Sequence, residues 1–216
     1  MLTISLIIII ITCVISFTAF NNQKITNDLI FYPPAVTYQK QYYRFITSGF
    51  IHADFIHLLF NMLSFYFFGP YVEGKFIELF NPGTGRALYL ILYLSALIAA
   101  LLPTYFRQKD NSYYMSLGAS GAVSAIIFAA IVFRPQLEIG FLFIPSIRIP
   151  GFLFGPLFLF ISAYLAKRGG GNINHSAHIW GALYGVAFVI ITTFLLTDYN
   201  AISIFIMQIK NYIFGN

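Results

Sequence analysis

Three small groups of polar and glycine residues interrupt an otherwise apolar sequence. Each lies at or near the start of an apolar segment, and the groups are His57-x-x-x-Asn61, Gly118-Ala119-Ser120-Gly121 and His178-x-x-Gly181-x-x-x-Gly185. A serine hydroxyl becomes a good nucleophile when a base within hydrogen-bond reach takes its proton, and a histidine can then pass that proton to the leaving amine. Ser120 and His178 are therefore a candidate nucleophile and general base.

Acyl transfer also needs hydrogen-bond donors for the oxygen of the attacked carbonyl, and one such donor contributes about 3–4 kcal/mol to catalysis. Asn61 and His57 share one helical face because they are four residues apart, so both side chains can donate toward one point. The backbone N–H of Ser120, at a helix start, is a third candidate donor. Residues 120–133 and 177–196 contain no Asp or Glu, so we expect a Ser–His dyad rather than a triad.

The elements that carry these groups belong in a membrane. Of the 216 residues, 59% are hydrophobic and 9% are charged, whereas a soluble domain has about 25% charged residues because its surface faces water. The net charge of +5 is spread along the chain without a basic run, which favours contact with anionic lipid headgroups over binding of nucleic acid. The single Cys13 cannot form an intrachain disulfide or a metal knuckle.

A helix needs about 20 apolar residues to cross the ~30 Å hydrocarbon core of a bilayer. Six apolar segments compete for this role, at residues 2–20, 51–72, 87–106, 120–133, 151–166 and 177–196. The first has no preceding Lys or Arg and is longer than a typical signal core, so it is predicted to be a retained helix. Lys210 and Asn211 interrupt the last apolar run, which predicts an interfacial tail rather than a seventh span. The sequence therefore predicts an all-α membrane protein, with one domain at 1–200 and a tail at 201–216.

The fourth segment is too short to cross the bilayer. At ~1.5 Å per residue, its 14 residues span about 21 Å, which is less than the ~30 Å of hydrocarbon. Its N-terminal end must lie below the membrane surface, and residues 116–119 must enter the membrane to reach it. Irregular backbone at that depth is stable only inside protein or against a water-filled cavity. The sequence therefore predicts a cavity next to Ser120.

The three polar groups are expected to converge. Even-numbered segments of a serpentine chain run in the same direction, and all three groups lie at or near the N-terminal ends of even segments. Gly181 and Gly185 share a helical face, and Gly121 with Ala125 offers a matching surface of small residues on the fourth segment. Close packing of these surfaces would bring the serine toward the histidine. The Lys and Arg residues are almost evenly divided between the two sets of loops, so they leave the membrane orientation open.

Together these motifs resemble the rhomboid intramembrane proteases. The resemblance covers roughly residues 44–185 and includes Phe50-Ile51-His52 before the second segment and Val72-Glu73 after it. It implies a six-transmembrane-helix bundle that opens outward, with its N-terminus in the cytoplasm and a short fourth helix that begins inside the membrane. It also implies substrates that are single-pass membrane proteins, cut near the outer surface in a helix-breaking segment rich in small residues. No metal or cofactor is implied.

Carried over residue by residue, the resemblance makes Ser120 the nucleophile and His178 the general base of a serine endopeptidase. It makes His57 and Asn61 oxyanion donors, and it places His52 nearby in the water-accessible cavity.

Two positions depart from the family. Tyr43-Arg44 stands where Trp-Arg is frequent, and Ser124 stands where many members place an aromatic ring against the catalytic histidine. Three charged residues are predicted to be structural. Asp54 is expected to cap a helix, and Arg44 and Glu73 are expected to be pairing groups in loops.

Two other functions remain open from the sequence alone. A catalytically inactive relative that binds client transmembrane helices should have lost Ser120 or His178, and both are present. A small transporter with a polar site at the midplane should have an inverted repeat and inward-facing charged residues, and the sequence suggests neither. The compact form favours a bacterial plasma membrane, with an organellar membrane left open.

Overall fold

The computed structural model describes residues 2–141, 144–168 and 173–215, most of which are helical. The helices are α1 Ile4–Phe20, α2 Gln23–Leu29, α3 Pro33–Gln39, α4 Arg44–Thr47, α5 Phe55–Phe80, α6 Pro82–Gln108, α7 Ser120–Phe133, α8 Gly151–Arg168, α9 His175–Leu196 and α10 Ala201–Phe214. A short 3-10 turn, Ser48–Phe50, follows α4. Two strands, β1 Glu138–Phe141 and β2 Ile144–Pro150, precede α8.

Four of the described helices, α5, α6, α8 and α9, are long and apolar enough to cross a membrane. The apolar helices α1, α7 and α10 are shorter. The chain is therefore a membrane protein with several apolar helices, as its composition predicted. Because length and composition select only four helices, a bundle of six membrane spans stays a prediction.

Polar side chains begin the long helices. Side-chain oxygens of Asp54, Asn81 and Asn174 accept from backbone N–H groups in the first turns of α5, α6 and α9, which satisfies donors that no helical carbonyl reaches. The predicted cap at Asp54 is confirmed, since its carboxylate accepts from the N–H of His57 at 2.7 Å. Helix α7 has the bounds predicted from the sequence and no side-chain cap. The N–H groups of its first turn are therefore left for other partners.

The short helix α7 lies at the centre of the bundle. Every residue from Gly121 to Phe133 except Ile127 is buried, and α5, α6 and α9 pack around it, with α9 the closest. Helix α1 packs on the outside of α5, and α8 contacts α9 much more than α7. A helix too short to cross the bilayer is stable here because protein, not lipid, surrounds it.

The prediction of an all-α protein is wrong in one connection. Residues 134–150, expected to be a loop, contain the antiparallel hairpin of β1 and β2, in which Ile139 pairs with Ile149 and Gly140 pairs with Arg148. Ile139 is buried between exposed neighbours, which is the period-two pattern of a strand. Exposed Arg148 and Glu138 lie 3.5 Å apart on the two strands. Strand pairing gives the backbone of this connection the hydrogen bonds that an open loop would lack.

The first connection is also more ordered than predicted. Residues 21–44 contain α2, α3 and the start of α4. The buried guanidinium of Arg44 ties these pieces together, because it donates to the carbonyl oxygens of Asn27 at 2.8 Å and Ile30 at 2.7 Å and to Gln41 Oε1 at 2.5 Å. The prediction that Arg44 is a structural pairing group is confirmed.

The C-terminal residues form a helix that packs on the bundle. Helix α10 contacts α7 and α9, and Gln208 Nε2 donates to the carbonyl oxygen of Phe133 at the end of α7 at 3.2 Å. The division into a domain at 1–200 and an interfacial tail at 201–216 stays a prediction.

Candidate active site

The packing of α7 against α9 brings Ser120 to His178. A Cβ atom added to Gly181 would overlap the carbonyl oxygen of Gly121, and one added to Gly185 would overlap that of Ala125. The two helix backbones are therefore in direct contact, as the small residues predicted. At the end of this contact His178 Nε2 lies 2.8 Å from Ser120 Oγ, which is hydrogen-bond distance.

The turn before Ser120 depends on Gly118. Its φ of +112° lies in the region that side chains other than glycine rarely adopt. A Cβ at this position would also lie 2.6 Å from Cε1 of His57, so only glycine lets that imidazole rest against the turn. The N–H of Gly118 donates to the carbonyl oxygen of Ser48 at 2.8 Å, which holds the turn at the depth where α7 begins.

His57 and Asn61 lie one turn apart on α5 and line the same cavity as Ser120. The N–H of Ala53 approaches His57 Nδ1 at 3.5 Å, and His57 Nε2 lies beside the turn at Gly118. Asn61 Nδ2 donates to the carbonyl oxygen of His57 at 2.9 Å, and the amide has a second N–H to offer. The structure therefore brings together four of the five residues singled out from the sequence.

The cavity next to Ser120 has a volume of about 650 Å³, within the usual range for sites that bind small molecules or peptides. It lies between α5, α6, α7 and α9, and Phe158 of α8 contributes to its wall. Among the described lining residues, Asp54 is the only Asp, Glu, Lys or Arg. No group of three or more His, Cys, Asp or Glu in the described ranges is close enough to hold a metal ion.

The predicted place of His52 in the cavity is wrong. Its side chain is 3% exposed and lies behind the ring of His57, with 5.0 Å between ring centroids, outside the cavity lining. His52 precedes α5, so it does not belong to the helical face that His57 and Asn61 share. Its Nε2 lies 3.3 Å from the N of Ala119 and its Nδ1 lies 3.0 Å from Ser16 Oγ. Burial lowers the pKa of His52 to about 3, so the ring is neutral at physiological pH.

Two rings that sequence reasoning missed contact His178. Phe158 of α8 stacks on the imidazole with 6.2 Å between ring centroids and 27° between ring planes, and His175 meets it edge-on at 5.7 Å. Ser124, where the family often has an aromatic ring, instead donates through Oγ to the carbonyl oxygen of Ser120 at 2.8 Å. Nothing in the spacing of 25 Phe residues could have selected Phe158. The structure thus provides an aromatic partner for His178 from a different helix.

Residues 39–194 of this chain match a known protein family, and they include all of these groups except Ser16. The family model of the Rhomboid domain matches residues 39–194. Presenilin-associated rhomboid-like protein A, mitochondrial, of Danio rerio is 29% identical over 106 residues. The presenilin-associated rhomboid-like proteins, mitochondrial, of Homo sapiens and Bos taurus are 29% and 28% identical over 112 residues. Each alignment covers 49% of this chain, and the chain covers 28% of the length of these relatives.

Proposed function

The chain belongs to the rhomboid family, and from this premise we propose that it is a serine endopeptidase whose active site lies inside a membrane. It cleaves peptide bonds in or near the transmembrane segments of membrane-protein substrates through a dyad of Ser120 and His178. The observation that carries the proposal is the 2.8 Å contact between Ser120 Oγ and His178 Nε2 at the wall of a peptide-sized cavity. A serine and a base in hydrogen-bond contact are the minimum for covalent acyl transfer.

The reaction proceeds in two halves. Ser120 Oγ attacks the scissile carbonyl carbon while His178 Nε2 takes the hydroxyl proton, and the imidazolium then donates that proton to the leaving amine as the C–N bond breaks. An acyl-enzyme ester remains on Ser120. A water molecule from the cavity loses a proton to His178 and attacks the ester carbonyl. As the ester C–O bond breaks, His178 gives that proton to Ser120 Oγ, which releases a carboxylic acid and restores the hydroxyl.

Charge on the carbonyl oxygen develops in both halves and needs donors in fixed positions. Nε2–H of His57, the second N–H of Asn61 and the backbone N–H of Ser120 are the donors that we assign to it. The first two line the cavity, and Ser120 begins α7 without a side-chain cap. Because the donors are fixed before the substrate arrives, no reorganisation is needed as the charge forms.

No carboxylate of the described residues lies within hydrogen-bond distance of His178. We infer that packing, rather than a third charged residue, orients the base. Phe158 on one face and His175 at the edge restrict rotation of the imidazole.

For the whole protein, we infer a bundle of six membrane helices, α1 and α5 to α9, with the N-terminus in the cytoplasm and the cavity opening outward. The substrates are single-pass membrane proteins that present a segment of small, helix-breaking residues near the outer surface. The protein is integral to a membrane. The names of its relatives describe them as mitochondrial proteins. They do not support the bacterial plasma membrane predicted from the sequence.

Labelling with a fluorophosphonate tests the dyad without knowledge of the substrate. We expect the purified wild type in detergent micelles to be labelled, and Ser120→Ala and His178→Ala to abolish the labelling. Ser124→Ala removes a serine one turn away on the same helix and should still be labelled. A folded wild type that is not labelled would contradict the protease proposal. The binding of client transmembrane helices would then become the leading function, measurable by cross-linking to a transmembrane peptide.

A further inference from the structure

We propose that His52 and Ser16 form a positioning relay that holds the turn before Ser120, so that α1 controls the geometry of the nucleophile without reaching the cavity. The inference rests on the proposed function, since it assigns a role in the same site. Helix α1 contributes no described residue to the cavity lining. Nevertheless one of its buried hydroxyls, that of Ser16, is two hydrogen bonds away from the N–H of Ala119, the residue before Ser120.

The proton positions in the relay follow from the groups at its two ends. The N–H of Ala119 can only donate, so His52 Nε2, 3.3 Å away, is the acceptor. The neutral ring then carries its proton on Nδ1, which donates to Ser16 Oγ at 3.0 Å. The hydroxyl of Ser16 in turn donates to the carbonyl oxygen of Phe50 at 3.0 Å, because a carbonyl can only accept. One arrangement of protons thus gives every donor in this series of hydrogen bonds an acceptor.

Burial keeps water from replacing the partners in the relay. Ser16 is 0% exposed and His52 is 3% exposed, so water does not replace a lost partner at low cost. The hydroxyl of Thr18 on the same helix donates to the carbonyl oxygen of Val14, four residues earlier, as an isolated membrane helix allows. The Ser16 hydroxyl instead bonds to His52 and to the carbonyl oxygen of Phe50, outside α1. This indicates that these partners are the reason for a serine at position 16.

The relay ties the turn before Ser120, residues 116–119, to the rest of the protein through side chains. Ser116 exchanges backbone hydrogen bonds with Phe31 at 3.0 and 3.1 Å, and Gly118 donates to the carbonyl oxygen of Ser48 at 2.8 Å. Those bonds join main chain to main chain and hold the outer part of the turn. The N–H of Ala119, the residue before Ser120, is held by His52. Since a displacement of about 1 Å at reacting atoms can reduce a rate about 100-fold, this bond sets the approach of Ser120 to His178.

Ser16→Ala tests the relay, with Ser16→Thr as the conservative variant and Thr18→Ala as the matched control on α1. We expect Ser16→Ala to slow fluorophosphonate labelling and lower kcat by about tenfold to 100-fold, with KM for a transmembrane substrate unchanged. Ser16→Thr keeps the hydroxyl and should restore most of the rate. Thr18→Ala should behave as wild type. A wild-type rate for Ser16→Ala would overturn the proposal, and so would a loss that Ser16→Thr does not restore.

A second measurement reads the proton positions directly. The chain has 4 His, so ¹⁵N-histidine NMR of the full protein, with His52→Gln to assign the signal, reports the tautomer of His52. We expect Nδ1–H at pH 7 in the wild type and a mixture of tautomers in Ser16→Ala. A protonated ring or an Nε2–H tautomer in the wild type would contradict the relay even if Ser16→Ala is inactive. If the wild type fails to label at all, the protease proposal fails, and the NMR result still decides whether the relay exists.

Discussion

The two ends of α5 put polar side chains into opposite situations. Near the start of the helix, His57 and Asn61 face a cavity of about 650 Å³. Asn61 commits one N–H to the carbonyl oxygen of His57 at 2.9 Å, and its amide has a second N–H donor. Ser120, beside them, meets His178 through its hydroxyl. This end of the molecule keeps hydrogen-bonding capacity for a substrate.

Glu73 lies 16 residues beyond His57, about 24 Å along the helix, and both of its carboxylate oxygens accept hydrogen bonds from α1. We call this the saturated end. Glu73 accepts from the N–H of Ile4 at 2.9 Å, the N–H of Ser5 at 3.0 Å and the hydroxyl of Ser5 at 2.8 Å. The Tyr89 hydroxyl lies 2.7 Å from Ser5 Oγ. The carboxylate thus caps the N-terminus of α1, where the helix dipole favours negative charge. The prediction that Glu73 is a structural pairing group is confirmed, but its predicted place in a loop is wrong, because it lies within α5.

The difference between the two ends shows that burial alone does not identify function in a membrane protein. Asn61 is 6% exposed and Glu73 is 2% exposed, and each would be a functional candidate by the cost of placing it in lipid. What separates them is the share of their hydrogen-bonding capacity that the protein itself uses. Saturated groups stabilise the fold, and groups with free capacity beside a cavity are available for chemistry.

The largest expected effect comes from replacing His178, the proposed base. It lies beside the cavity at the start of α5, which we call the reactive end. His178→Gln keeps a polar side chain but has no ring nitrogen to take the Ser120 proton, so kcat should fall by about 10⁴- to 10⁶-fold. The unfolding free energy should change by less than about 2 kcal/mol, because only the stack with Phe158 and the bond to Ser120 are lost. Cleavage of a transmembrane substrate and unfolding in detergent measure the two quantities. A large loss of stability would contradict the assignment of this end to chemistry.

The saturated end should respond in the opposite way. Glu73→Ala leaves two backbone N–H groups and the Ser5 hydroxyl without their acceptor, and each buried unsatisfied group costs about 1–3 kcal/mol. We expect a loss of about 3 kcal/mol in unfolding free energy, with the labelling rate of the folded protein unchanged.

Glu78→Ala is the matched control for this variant on the same helix. The Glu78 side chain is 62% exposed and pairs with Lys75 at 2.8 Å, so its removal should cost less than about 1 kcal/mol. A slower reaction of Glu73→Ala at unchanged stability would break the comparison, because it would give the saturated end a catalytic role.

Asn61→Ala should sharpen the comparison at the reactive end. Loss of one oxyanion donor lowers kcat by about 10²- to 10³-fold, whereas the bond from Asn61 to the carbonyl of His57 lies within one helix and adds little stability. Ser64→Ala, which also lines the cavity from α5, should keep most of the activity. Equal losses from both substitutions would mean that the shape of the cavity, and not a donor at Asn61, is responsible.

The sequence predicted which residues of the site come together better than it predicted the structure around them. The direction of the helices and the glycine face of α9 were enough to bring Ser120 to His178, because helical spacing fixes which residues share a face. The bounds of α7 followed from its flanking polar residues. The hairpin after α7 and the short helices before α5 could not be predicted, since their stability comes from pairing and from Arg44, which act across distant residues. The burial of His52 was missed because a residue outside a helix carries no periodicity that would indicate its direction.

Phe158 gives the smallest predicted effect and tests a support that sequence could not reveal. Its ring stacks on His178 from α8, and an aromatic stack contributes about 0.5–1.5 kcal/mol beyond its buried area. Phe158→Leu removes the flat face and should slow fluorophosphonate labelling by about twofold to tenfold. Phe160→Leu is the matched control on the same helix, since Phe160 is 72% exposed, and it should label like the wild type.

The choice of readout separates two roles for the Phe158 ring. A fluorophosphonate is small and does not need a transmembrane helix to dock, so its rate reports the orientation of His178. Under the proposed function a transmembrane substrate must also enter the cavity, and α8 is the helix around the cavity that packs least against the central α7. Slower labelling in Phe158→Leu would place the ring among the groups that orient the base. Unchanged labelling with faster cleavage would mean that the ring restricts substrate entry, and that His178 keeps its orientation through α9 alone.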